Sequence, residues 1–436
     1  MIDHPQRASL HNEIHARPPE PMTAPLVISH VVMLTDADER AASREHLSAL
    51  LRDHHLPALD AQVSHSRHTL TMAGGVRLRW ERHTEFVSWT FMRSLPDDAL
   101  PDAQVTAHAA LPAMWMEALP GRRLVAMHLW ATPKAATPVA ASGDTAALPD
   151  SLVRGLLLDE TLVGSAVGDG GTEVYTDFAM HPDGFSRVLL CVGNTSARGL
   201  GRLIQRLLEI ETYRMAALMG FPAALQVSGE LTHAERDLSE LAAAIRAAHR
   251  HDEPQLLDRL THLAGQIESQ YAALHSRFSA SSAYFALVDK RISELGETRI
   301  AGLQTIREFM DRRLSPARNT CEWAVRRQDG LSQRVSRMSN LLRTRVEITQ
   351  QQNSEALLKA MNDRQDLQLK LQSTVEGLSV AAITYYIVGL ISYVAKGAQT
   401  LGWPFSPEST AAVAIPLVGF AVWWSIRRLH RRLRLH

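Results

Sequence analysis

Cysteine is almost missing from this chain: Cys191 and Cys321 are the only two in 436 residues. Two thiols make no disulfide framework, and they are read as free in a reducing compartment. Net charge is missing as well. Lysine plus arginine total 46, and aspartate plus glutamate total 46. A balanced chain has no global basic field, so no nucleic-acid partner is expected. Lysine is scarce, at five residues, while arginine abounds. Base composition explains that bias, so a single arginine is a weak functional signal. The opening MIDHPQRASL has no basic stretch before an apolar core, so no secretory leader is expected. Proline is absent between Pro316 and Pro404, so no proline breaks a helix there.

Catalytic signatures are absent too. GNTSARGLGR, residues 193–202, lacks the Gly-Lys-Ser/Thr ending of a nucleotide phosphate loop. Asn194, Thr195 or Ser196 is better read as the cap of the next helix. Arg198 and Arg202 beside that helix start can hold an anion. No nucleophile elbow or catalytic triad can be nominated.

What is present is apolar and lies near the C-terminus. Leu378–Ala395 is 18 residues without a charge, and Thr410–Ile426 is 17 more. A spanning helix needs about 20 mostly apolar residues, so 378–426 reads as a transmembrane hairpin with spans 378–395 and 410–426. Trp403, Trp423 and Trp424 sit where interfacial aromatics are expected. The tail 427–436 carries Arg427, Arg428, Arg431, Arg432 and Arg434 and no acid. These arginines are the candidate lipid-headgroup contacts. With Lys359, Arg364 and Lys370 before the first span, they place both termini in the cytoplasm by the positive-inside rule. The expected location is a bacterial inner membrane, crossed more than once.

Before the hairpin, residues 196–377 read as a helical stalk. One helix from Ala197 ends at Gly220 and Pro222; Thr232, with Glu235 three residues on, caps a second. A third covers Pro254 to Leu295. Ser315-Pro316 breaks a shorter one. Leu331, Val335, Met338 and Leu342 step by four, three and four, a coiled-coil spacing. The seam resumes at Leu357 and Met361, then Leu367, Leu371 and Val375, and enters the first span.

Residues 26–195 read as an α+β head. PLVISHVVML, TEFVSWTFM and RRLVAMHLWA are strands, and HTLTMAGGVRLRWE is a hairpin around Gly74-Gly75. Three more strands follow after an Ala/Pro-rich stretch at 132–150. The whole is α+β head, helical stalk and two-helix transmembrane hairpin. Arg79, Glu81, His83 and Glu85 alternate along one strand face, which can line a cleft or face water; water is the favoured reading.

The arm 1–25 contains HNEIHARPP. The zinc-protease pattern needs glutamate directly after the first histidine; Glu13 is second after His11, so that site is excluded. His11 and His15 can still share a metal at i,i+4. The bland reading is a short helix starting at Pro5, packed by Leu10 and Ile14, that leaves through Pro18-Pro19. A docking arm is the third. His11, Glu13, His15 and Arg17 form the candidate arm site; cofactors stay unknown.

HPQRASLHNEIHARPP, RWERHTEFVSWTF and EIETYRMAALMGFP resemble an uncharacterised bacterial family, domain of unknown function thirty-four twenty-two, of predicted membrane-anchored proteins. That resemblance brings no established activity. The architecture is also similar to CorA-type magnesium channels, which are homopentamers with the first span lining the pore. Their Gly-Met-Asn motif is replaced here by Gly397-Ala398-Gln399. This resemblance implies Ser379, Thr384, Tyr385, Ser392 and Gln399 as pore or ion-contact candidates. The leading expectation is a membrane-anchored scaffold or regulator with a cytoplasmic protein partner. A homo-oligomeric cation channel is the alternative, and a head-domain enzyme the least favoured.

Overall fold

The computed structural model describes residues 4, 7, 19–59, 67–134, 150–168, 171–249, 251–399, 402 and 404–433. The elements in chain order are β1 (Leu26–Leu34), α1 (Ala37–Asp53), β2 (Arg67–Thr71), β3 (Arg77–Arg82), β4 (Phe86–Ser94), α2 (Ala113–Glu117) and β5 (Arg122–Pro133). Then come α3 (Asp150–Leu156), β6 (Val163–Val167), β7 (Thr172–Thr176), β8 (Ser186–Val192), α4 (Ala197–Leu218), α5 (Gly220–Ala247) and α6 (Glu253–Leu295). A short β9 (Thr298–Arg299), α7 (Ile306–Arg313), α8 (Ser315–Gln399) and α9 (Pro407–Leu433) complete the set.

The strands form one mixed sheet in the order β2-β3-β4-β1-β5-β8-β7-β6-β9. Two antiparallel groups meet at a single parallel pair, β5 with β8. The expectation of an α+β protein with long helices therefore holds. β1 is central and buried along almost its whole length, which is why it reads as a continuous apolar run. The β2–β3 hairpin turns at Gly74 and Gly75, both at positive φ, a conformation that glycine adopts without strain.

Each sheet face is covered. On one, Trp80, Trp89, Phe91 and Trp130 pack with Leu47, Leu50 and Leu51 of α1 and with Val153 and Leu156 of α3. Asp36 starts α1 with a reciprocal capping box to Glu39. On the other face, Val32, Phe86 and Val125 pack with Tyr213 and Met215 of α4 and Tyr284 of α6. Ser196 caps α4 through the Gly199 N–H, as one of the three candidates expected there.

Two helix boundaries differ from the sequence reading. Only Met219 separates α4 from α5, and Pro222 lies in the first turn of α5. Proline is harmless there because the first turn's N–H groups have no intrahelical acceptor. Thr232 is consequently no cap: its hydroxyl donates to Ser228 O within α5 and accepts from Arg327. Glu235 binds the same guanidinium, and this hydrogen bond holds its carboxyl below the usual range.

The chain divides into two compact units, Met1–Arg246 with Asp258–Met338, and Ala247–Leu257 with Ser339–His436. Within the first, α5, α6 and α8 approach closely at Gly220. A Cβ there would lie 2.6 Å from Ser281 Oγ and 3.4 Å from Cys321 Sγ. Leu331 and Val335 of the expected seam are buried, joined to α5 and α6 by Arg327–Glu235 and Arg318–Asp289. Within the second, Arg345 reaches Glu253 at 2.6 Å. Both cysteines are free and buried.

Candidate functional site

The polar face of β3 is the first surprise. Arg79 is only 3% exposed, so the solvated reading of Arg79, Glu81, His83 and Glu85 is corrected. Polar alternation cannot tell water from a polar helix lid. Here the lid is α4 and α6. Glu85 takes Arg277 at 3.1 Å and the Tyr284 hydroxyl at 2.9 Å, both from α6. His83 stacks on Phe86 with ring centroids 4.4 Å apart.

Between sheet and helices lies a cavity of about 230 Å³. Its floor carries His30 of β1, Arg79 and Glu81; its helical wall carries Gln205, Glu209 and Thr212 of α4 and Arg291 of α6. Glu81 serves both Arg79, at 3.2 Å, and Arg67, at 3.5 Å. Arg67 also reaches Glu20, and Arg77 joins the same carboxylate. Arg291 pairs with Glu209 and Glu294.

His30 is held neutral by a directional chain. The Thr212 hydroxyl donates to Leu208 O at 2.8 Å, so it accepts from His30 Nε2 at 3.1 Å. His30 Nδ1 is then the acceptor for the Thr90 hydroxyl at 2.8 Å. This assigns the Nε2–H tautomer. Burial, then the charges of Arg79 and His83, pushes the His30 pKa down to about 3.

The opposite face holds a second histidine group. Ser29 Oγ accepts from the backbone N–H groups of Ala107 and His108 and lies 3.0 Å from His128 Nδ1. Burial lowers the His128 pKa to about 3. Ser29 has no exposed surface, so this hydroxyl ties a loop to the sheet. Among the described residues, no three His, Cys, Asp or Glu side chains are grouped to hold a metal.

The second feature is the C-terminal pair of helices. The end of α8 and the first 22 residues of α9, Pro407–Arg428, are long and apolar enough to cross a membrane. Their outward side chains include Leu390, Tyr393, Leu417 and Phe420, all exposed. Facing positions are small: Ala395 and Ala414 are buried, and the Thr384 methyl comes within 3.8 Å of a Cβ built on Gly419. Small residues let spanning helices approach closely.

The candidate residues fall as follows. The hydroxyls of Ser379, Thr384 and Ser392 donate to the carbonyls of Val375, Val380 and Val388, one turn back on α8. Tyr385 is 76% exposed, and Gln399 ends α8, its carbonyl accepting from Gly402. Arg427 stacks over Trp423 at 4.7 Å, and Arg428 is exposed. Arg431 and Arg432 continue α9, their side chains outside the described residues, as Arg434 is. His11, Glu13, His15 and Arg17 also lie outside the described residues.

A family model spans residues 2–433. The chain belongs to the family described as Protein of unknown function (DUF3422). That membership covers nearly the whole chain and assigns no activity. No curated protein and no solved structure matches the chain. His30, Gln205, Glu209 and Arg291 escaped the sequence reading. The one available signal was the Ser29-His30 pair inside an otherwise apolar strand.

Proposed function

We propose that this family member is a membrane-anchored regulator or scaffold. Its C-terminal hairpin sits in a bacterial inner membrane, both termini are cytoplasmic, and the head engages a cytoplasmic protein partner. The observation that carries this reading is the apolar outer surface of two adjacent helices with arginines at the end of the second. Expressed in bacteria, the chain stays in the membrane pellet after an alkaline carbonate wash. Arginine at both Leu390 and Leu417 moves it out of the pellet, since each costs about 2.5–3.5 kcal/mol at a helix centre. Release of the unaltered chain by carbonate overturns the proposal.

The stalk seam supports self-association. Leu357, Met361, Leu367, Leu371 and Val375 are each between 57% and 64% exposed, on a helix that runs on without proline. A second copy of the chain is the occupant proposed here. Sedimentation in detergent shows an oligomer that Leu367→Glu with Leu371→Glu dissociates; a monomeric parent chain refutes it. The channel alternative shares this oligomer and adds ion flux through vesicles that falls with Thr384→Ala or Gln399→Ala.

A further inference from the structure

We infer that the cavity between β3 and α4 binds a small carboxylic acid bearing its own N–H or O–H donor, of amino-acid or hydroxy-acid size. The inference rests on two buried polar groups of opposite character, one on each wall.

The first is Arg79. Its side chain is 4% exposed, and its ion-pair contact, Glu81 at 3.2 Å, is one carboxylate shared with Arg67. Arg79 Nε has no hydrogen-bond partner, although it lies in that contact. The separation is short enough, but the N–H does not point at the oxygen. A guanidinium offers five donors in a rigid fork. Burying one without hydrogen bonds is costly, and an anionic acceptor in the cavity meets that need.

The second is Gln205 on the helical wall. Its amide nitrogen donates to Glu209 at 2.9 Å. A carboxylate accepts and does not donate, so this bond fixes the amide orientation. Gln205 Oε1 is buried without a partner. It requires a donor, and Gln205 is one of the residues that line the cavity.

The other walls narrow the choice. His30 is neutral and both its nitrogens are engaged. Glu209 is held by Arg291. A cation would face Arg79. A phosphate dianion keeps one O–H donor, but its second negative charge crowds Glu81 and Glu209. A carboxylate that carries one N–H or O–H donor satisfies both orphan groups. The volume of about 230 Å³ is below the roughly 300–1,000 Å³ of sites for drug-sized molecules, so the ligand is small. A bidentate carboxylate fits the guanidinium fork.

The test is calorimetric titration of the full chain in detergent with glycine, L-serine, L-glutamine and L-lactate. Acetate and inorganic phosphate are the comparators. At least one of the four binds saturably, at least about tenfold more tightly than either comparator, the weight of one hydrogen bond to a buried group. Arg79→Met abolishes that binding. Gln205→Leu weakens the amino or hydroxy acid by about tenfold and leaves acetate unchanged. Arg79→Met leaves Glu81 paired with Arg67, and a cooperative melting transition checks that it folds; if it does not fold, Gln205→Leu decides. Binding by none of the four, equal binding of acetate or phosphate, or full binding by Arg79→Met overturns the inference. None of these readings depends on whether the hairpin enters a membrane.

Discussion

Acidification from about pH 7 to about pH 4 removes several kcal/mol from the stability of the sheet-bearing unit, mostly through two histidines. His30 and His128 each have a folded pKa of about 3, against an ordinary value of 6.5. Burial is the main cause for both. Arg79 and His83 add to it at His30, as do His108 and Arg187 at His128, where Asp183 opposes them. The unfolded chain therefore binds protons that the folded chain refuses. Stability is fully present above about pH 6.5 and is lost as the pH falls from there towards 3. The loss is about 1.4 kcal/mol per pH unit for each ring, or roughly 5 kcal/mol for both over two units. Burial lowers His46, His68 and His108 as well, with the same sign. Urea midpoints followed by tryptophan fluorescence across this range test it. His30→Gln and His128→Gln each flatten the slope; a midpoint unchanged from pH 7 to 5 contradicts the assignment.

Replacing Gly201 by leucine destabilises the same unit by about 3 kcal/mol, at the upper end for overpacking. Gly201 is buried in α4, and a Cβ there would overlap the Glu20 carbonyl and crowd Pro21 Cα. The obstacle is backbone, so no rotamer change relieves it. Pushing Glu20 away also loosens its pairing with Arg67 and Arg77, and the Met22 N–H bond to Ala197 O. Gly229 is the control. A Cβ there meets nothing within 4 Å, so Gly229→Ala stabilises helix α5 by about 0.5–1 kcal/mol. Chemical denaturation separates the two; equal effects at Gly201 and Gly229 contradict the packing argument.

Much of the fold was legible because its signals are local. Gly74-Gly75 between alternating strands marks the first hairpin, and a proline-free run predicts α8. Sheet order was not legible. β5 pairs with β8 across a long stretch of chain, and neither strand encodes its neighbour. β9 is two residues long, too short for any periodicity. The cavity was half legible. Arg79 and Glu81 share a face of β3, as their alternation says, while His83 and Glu85 lie beyond its end at Arg82; the covering groups Glu209, Arg277, Tyr284 and Arg291 come from far along the chain. Nothing in the spacing of those helical residues marks them as partners of β3. Thr232 and Glu235 show the reverse error: a capping-box spacing recruited by Arg327 as an interhelical clasp.

The two cysteines have a use that follows from where they lie. Cys191 is in β8, its thiol pushed up to about 12 chiefly by burial; Cys321 is in α8, and burial raises it also. Alkylating reagents attack the thiolate, so neither sulfur reacts while its surroundings stay closed. Labelling waits for a local opening. One thiol reports the middle of the sheet and the other the helices, and no third cysteine in the chain confuses the count. Their separate modification rates are two clocks in one unmodified molecule, and their ratio measures whether sheet and helices come apart together or in turn.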